Sequence, residues 1–122
     1  MKNRVQFIGL EDDEKDLIIS FAVDDAELGI KSLILLRTPY YEHLLAEDER
    51  GVSVSFDEDY DEQEDHNMLD SISIDPEKII IVSSLRNYKL DISKIEKEEI
   101  DEMVKLLKKL NFDHRFSIKL NY

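Results

Sequence analysis

Apolar side chains recur at every second position along most of this chain, and that period constrains the fold more than any other feature. In GVSVSF, Val52, Val54 and Phe56 share one face while Ser53 and Ser55 share the other. In YKLDIS, Tyr88, Leu90 and Ile92 alternate with Lys89 and Asp91, and in RFSIKLNY, Phe116, Ile118, Leu120 and Tyr122 alternate with polar residues. Such alternation marks strands with one face buried and the other in water. LIISFAV from Leu17, LILL from Leu33 and IIIV from Ile79 are apolar without a break, which suits central strands covered on both faces. RVQFIG near the start and SISI at Ser71–Ile74 are shorter candidates, bringing the expectation to about eight strands.

One segment breaks the period. SKIEKEEIDEMVKLLKKL, from Ser93, sets Ile100, Met103, Val104, Leu107 and Leu110 on one helical face. Ser93 and Glu96 have the spacing of a capping box. Acids crowd the first turns and Lys105, Lys108 and Lys109 the last, which complements the helix dipole. A short helix is also expected after Pro39, over YYEHLLAE. The fold class is therefore α+β: one domain over residues 1–122, a mostly antiparallel sheet with a C-terminal helix on one face and a final strand.

The 122 residues suffice for one core without covalent staples, and the chain has no cysteine. Disulfides and thiolate metal sites are excluded, and a reducing cytoplasm suits the composition. The start, MKNRVQFIGLEDDEKD, reaches dense acid too soon for a secretory apolar region, and no apolar run approaches the roughly 20 residues of a membrane helix. The net charge is −13 and lies unevenly. Residues 1–75 carry 21 acids and 6 bases, and residues 76–122 carry 8 acids and 10 bases. Such a field repels nucleic acid and anionic membranes and attracts basic proteins or cations.

The charge peaks in FDEDYDEQEDHNMLD, where seven of the nine residues from Asp57 to Asp65 are acidic. We read about 57–67 as a loop between two strands. As a calcium loop it fails: in the frame starting at Asp57 the sixth position is Glu62 and the twelfth Met68, and in the frame from Asp59 they are Glu64 and Asp70. The turn needs glycine at the sixth position and a bidentate glutamate at the twelfth. His43, His66 and His114 are scattered, with no ligand spacing between them. Gly9, Gly29 and Gly51 are isolated, so no loop brings successive amides around a phosphate. There is no nucleophile elbow, and carboxylates crowded into one solvated run lack the separated pKa values that acid–base catalysis requires. The chain reads as non-enzymatic, without metal or cofactor. Protein recognition remains. Asp57, Glu58, Asp59, Asp61, Glu62, Glu64 and Asp65 would steer a basic surface, with Tyr60 as an anchor among them.

In order along the chain, DLIISFAVDD, SLILLR, GVSVSFDE, DSISIDPEKIIIVSS and LDISKIEKEEIDEMVKLLKKL resemble the immunity protein 10 family of bacterial polymorphic-toxin systems. The resemblance covers roughly residues 4–110. HRFSIKLNY extends past the end of the family pattern, and PYYEHLLAEDERG lengthens the connection before Gly51. What the resemblance implies is an inhibitor, itself not an enzyme, that binds and blocks a cognate toxin in the cytoplasm of the producing cell. Its acidic surface would cover a basic toxin site, with no nucleic acid or membrane as partner. Two other readings stay open: an acidic nucleic-acid mimic or regulatory protein-binding module of bacterial or phage origin, and a divalent-cation-binding protein or enzyme.

Overall fold

The computed structural model describes residues 3–13, 15–25, 29–47, 50–56 and 67–121. Among them are eight strands and one α-helix: β1 (Asn3–Asp12), β2 (Leu17–Asp25), β3 (Gly29–Arg37), β4 (Ser53–Phe56), β5 (Leu69–Ile74), β6 (Lys78–Ser83), β7 (Asn87–Asp91), α1 (Lys97–Leu110) and β8 (Ser117–Leu120). A 3-10 helix over Pro39–Leu44 follows β3, where the sequence suggests a short helix. The α+β expectation holds, with the helix on one face of the sheet and a strand after it.

The strands form one sheet in the order β4-β3-β2-β1-β7-β6-β5-β8. Pairing is antiparallel except for β1 beside β7 and β5 beside β8. The sheet curls until its two sides touch. Ser53 of β4 bridges Met68, just before β5; the Val54 amide donates to the Asn67 carbonyl (2.8 Å) and the Leu69 amide to the Val52 carbonyl (2.9 Å). β5 thus shares one edge between two strands, β4 at its start and β8 along Ser71–Ile74.

Alternation decides which side chains fill the hollow. Phe21 faces Leu33 and Ile8, Ile19 faces Leu35, and Ile72 faces Ile81, and all of these rows turn inward. Into the same hollow α1 lowers Ile100, Met103, Val104, Leu106, Leu107 and Leu110, packing closest to β1 and β2. Removing this much contiguous apolar surface from water is the main force that holds sheet and helix together. The three unbroken apolar runs do take central places, β2, β3 and β6, each with a strand on both sides. Their second faces differ from expectation. Ile18, Ile34, Leu36, Ile80 and Val82 are only half-buried, and no second layer covers them among the described residues. On a curled sheet, neighbouring side chains on the outer face shield one another, which suffices for partial burial.

The helix begins later than its sequence suggests. It starts at Lys97 with Glu96 as N-cap and no capping side-chain bond, so Ser93 and Glu96 form no capping box. The cause lies two residues upstream of Ser93: the Asp91 carboxylate accepts the Ser93 amide (2.9 Å), and the Ile95 amide bonds the Ile92 carbonyl (2.9 Å). These bonds make a turn of residues 92–95 and spend them before the helix begins. Asp13 and Asp75 close the β1–β2 and β5–β6 turns in the same manner, each accepting two amides ahead of it.

Candidate functional site

The residues expected to bind a partner, Asp57, Glu58, Asp59, Tyr60, Asp61, Glu62, Glu64 and Asp65, lie outside the described residues. Their flanks are firmly held. Phe56 is buried against Tyr88 edge-to-face at 6.0 Å, and the Asn67 side-chain amide donates to the Val54 carbonyl and to the Tyr88 hydroxyl, both at 3.1 Å.

At one end of the sheet the strand pattern runs into a charge. Leu33, Leu35 and Arg37 all point inward along β3, so the guanidinium of Arg37 sits 1% exposed at the mouth of the hollow. Its five N–H donors are all used. Nε and Nη2 grip Glu42 of the 3-10 helix, both at 2.9 Å. Nη1 and Nη2 grip Asp113, both at 2.8 Å, and Nη1 also donates to the Leu110 carbonyl at the end of α1 (2.7 Å). The Phe112 ring stacks on the guanidinium at 4.1 Å. Glu42 accepts the Gly51 amide as well (3.0 Å). Gly51 has φ +122°, and a Cβ there would press on Met68 and Arg115, so glycine is needed for that approach. Asp113 is shared with Arg115 at 2.6 Å.

These contacts move the charges in the sense of mutual stabilisation. Burial alone would lower the pKa of Arg37, but the hydrogen bonds to Asp113 and Glu42 outweigh it and hold the guanidinium above its ordinary value. Burial would likewise raise Glu42, yet Arg37 and the Gly51 amide bring it below the usual carboxylate range. Asp113 goes furthest down, first through its bond to Arg37 and then, against burial, through Arg115. A cluster with every donor filled and every acid kept ionised has no group poised to move a proton. Its role is mechanical: it ties β3, the 3-10 helix and the end of α1 together.

What this frame carries on its outside is exposed. Tyr40, Tyr41 and Leu44 on the 3-10 helix and Phe112 after α1 all present large apolar surface to water. Tyr40 meets Tyr41 edge-to-face at 4.9 Å, and Lys15 from the β1–β2 turn lies 5.6 Å from the Tyr40 ring. The same end holds the exposed Asp13, whose carboxyl is pulled below its ordinary value by the amides of Asp16 and Lys15. Asp12 there pairs with Lys109 of α1 at 2.8 Å. Sequence reasoning passed over Arg37, Tyr40, Tyr41 and Phe112. The signal for Arg37 was present, because it sits two places after Leu35 in an inward-facing alternation.

His43 and His114 are exposed and lie on separate elements, and no group of three or more potential ligands gathers among the described residues. No buried side-chain nitrogen or oxygen among them lacks a hydrogen-bond partner. No described helix is long and apolar enough to cross a membrane. Comparison with family models, with curated proteins and with solved structures finds no match to this chain.

Proposed function

We propose that this chain is a non-enzymatic immunity protein that binds a basic bacterial toxin and neutralises it in the cytoplasm of the producing cell. One observation supports this most: the fold leaves its acid on the surface. Among the described carboxylates only Glu42 is buried, although the chain carries a net −13. Charge left in water at this density speeds the approach of a cationic protein and orients it before contact. Tyr40, Tyr41 and Phe112 supply what charge alone lacks, stiff aromatic anchors that stand beside the acidic β1–β2 turn on a braced end of the molecule. The mechanism is occlusion, the acidic face covering a basic site on the toxin.

The deciding experiment is co-expression with the variable C-terminal end of a large protein encoded beside this one. A stable complex is expected, with the toxic activity suppressed and an association rate that falls steeply with salt. Failure of that end to co-purify, or an association rate indifferent to salt, contradicts the reading.

A further inference from the structure

β1 has one edge that the sheet does not use. Among the described residues it runs beside β7 for two residue pairs, Asn3 with Leu90 and Arg4 with Asp91. A register shift between Val5 and Phe7 then turns the strand. From Phe7 to Asp12 it pairs with β2 alone among the described residues, leaving about 20 Å of backbone donors and acceptors along its other side. α1 passes beside this edge and makes a groove of about 430 Å³. Ile8 and Leu10 are its floor, and Glu98, Glu99 and Glu102 are its wall. Leu10 is 39% exposed there, and Phe7 on the outer face is 57% exposed.

Proteins blunt a free edge with proline, an inward charge or a central lysine, or keep it very short. β8, the strand at the end of the sheet order, follows that rule, with four residues and Lys119 among them. β1 does not. Its open stretch FIGLED has no proline and no base, and it keeps apolar residues at three of six positions.

We infer that this edge takes an extended, lysine- or arginine-bearing segment of a partner protein as an added strand. The inference rests on the immunity reading for the partner's charge and on the sheet for the mode of binding. Main-chain hydrogen bonds to β1 supply affinity, and alternate side chains supply selection. Side chains on the groove side of the added strand lie over Ile8 and Leu10, and their ends reach the three glutamates. Lysine and arginine meet both demands, with an apolar stem and a cationic head. On the opposite face the neighbours are Phe7, Gly9 and Glu11, so an apolar or aromatic side chain fits beside Phe7. A second copy of this chain is the wrong occupant, because pairing two β1 edges would set two glutamate walls together at a net −13 each.

The probe is an eight-residue peptide of alternating lysine and valine, with two versions N-methylated at the lysine or at the valine amides. Alternate amides of a strand point to opposite edges, so in an added strand only one set meets β1. Amide NMR shifts should concentrate at Phe7–Asp12 and Glu98–Glu102. One methylated peptide should bind roughly tenfold more weakly than its counterpart. The double variant Glu98→Lys and Glu102→Lys should keep its helical circular dichroism and weaken the parent peptide by a similar factor. Equal binding of both methylated peptides, shifts centred elsewhere, or a β1-to-β1 dimer in sedimentation overturns the proposal. A toxin neutralised with the β1 signals unmoved removes the edge and leaves the immunity reading. A peptide that adds to β1, in a chain that neutralises no toxin, does the reverse.

Discussion

Two stretches of surface-reaching structure handle polar groups in opposite ways. At the mouth of the hollow, Arg37 has every N–H donor matched to an oxygen of Glu42, Asp113 or Leu110. Along β1 from Phe7 to Asp12, one whole row of backbone groups faces no strand among the described residues, beside three glutamates in water. The first arrangement is rigid because losing Arg37 leaves the buried Glu42 without its cation, and losing either acid leaves two guanidinium donors unmatched. The second is held only from one side, so it can accept a partner without first breaking anything. Charge in this protein thus serves two ends: it locks where it is buried and fully matched, and it stays open to water where it is exposed, even where Glu102 meets Lys105 at 3.3 Å.

The sharpest way to break that contrast is at Arg37. Arg37→Ala should destabilise the fold by about 3–5 kcal/mol, because the buried Glu42 loses its cation and Asp113 is left to Arg115. Urea unfolding followed by circular dichroism measures it. A loss under 1 kcal/mol would mean that the cluster is ornament. Gly51→Ala comes next, at about 1–3 kcal/mol, since it forces alanine into φ +122° and presses on Met68 and Arg115. It should cost more in the wild type than in Glu42→Gln, where the partner of the Gly51 amide is already weakened.

Acid should separate the two regions as well. Glu42 and Asp113 titrate below their ordinary values in the folded state. Their contribution is therefore complete above the unfolded carboxylate value of about 4 and drains away as the pH falls through it towards the lower folded values. Stability measured from pH 6 down to pH 2 should drop less in Asp113→Asn than in the wild type. The smallest effect belongs to the groove. Replacing Glu98, Glu99 and Glu102 together by glutamine should cost about 1 kcal/mol, from the helix dipole that Glu98 and Glu99 complement and from the exposed pair of Glu102 with Lys105. The same triple variant should still slow association with a basic partner at low salt, and a loss of stability as large as that of Arg37→Ala would contradict the contrast between the two regions.

Much of the architecture could be read in advance because a two-residue period is a local signal. Val52, Val54 and Phe56, or Tyr88, Leu90 and Ile92, declare their burial without help from distant parts of the chain. Closure of the sheet could not be read that way. Ser53 meeting Met68 depends on how far the whole sheet curls, and no pattern within either segment encodes it. The helix start was missed because Asp91 won the Ser93 amide, a competition between two plausible caps that sequence spacing does not rank. The candidate site was less legible still. The acidic run drew attention by its density, while Tyr40, Tyr41 and Phe112 acquire meaning only once Arg37 has brought their segments together. The open edge of β1 is invisible in sequence, being defined by where β7 stops.

The bond from Arg37 to the Leu110 carbonyl spans 73 residues, and it bears on the order of events during synthesis. Strands β1 to β4 leave the ribosome well before α1 exists, so the inner faces of Phe21, Leu33 and Leu35 wait in water for their lid. Exposed strand faces of that kind aggregate with their neighbours. Residues 1–75, the part made first, are also the part that carries 21 acids against 6 bases. Like charges repel, so acidity of this density opposes contact between unfinished copies of that half in the interval before the helix is made.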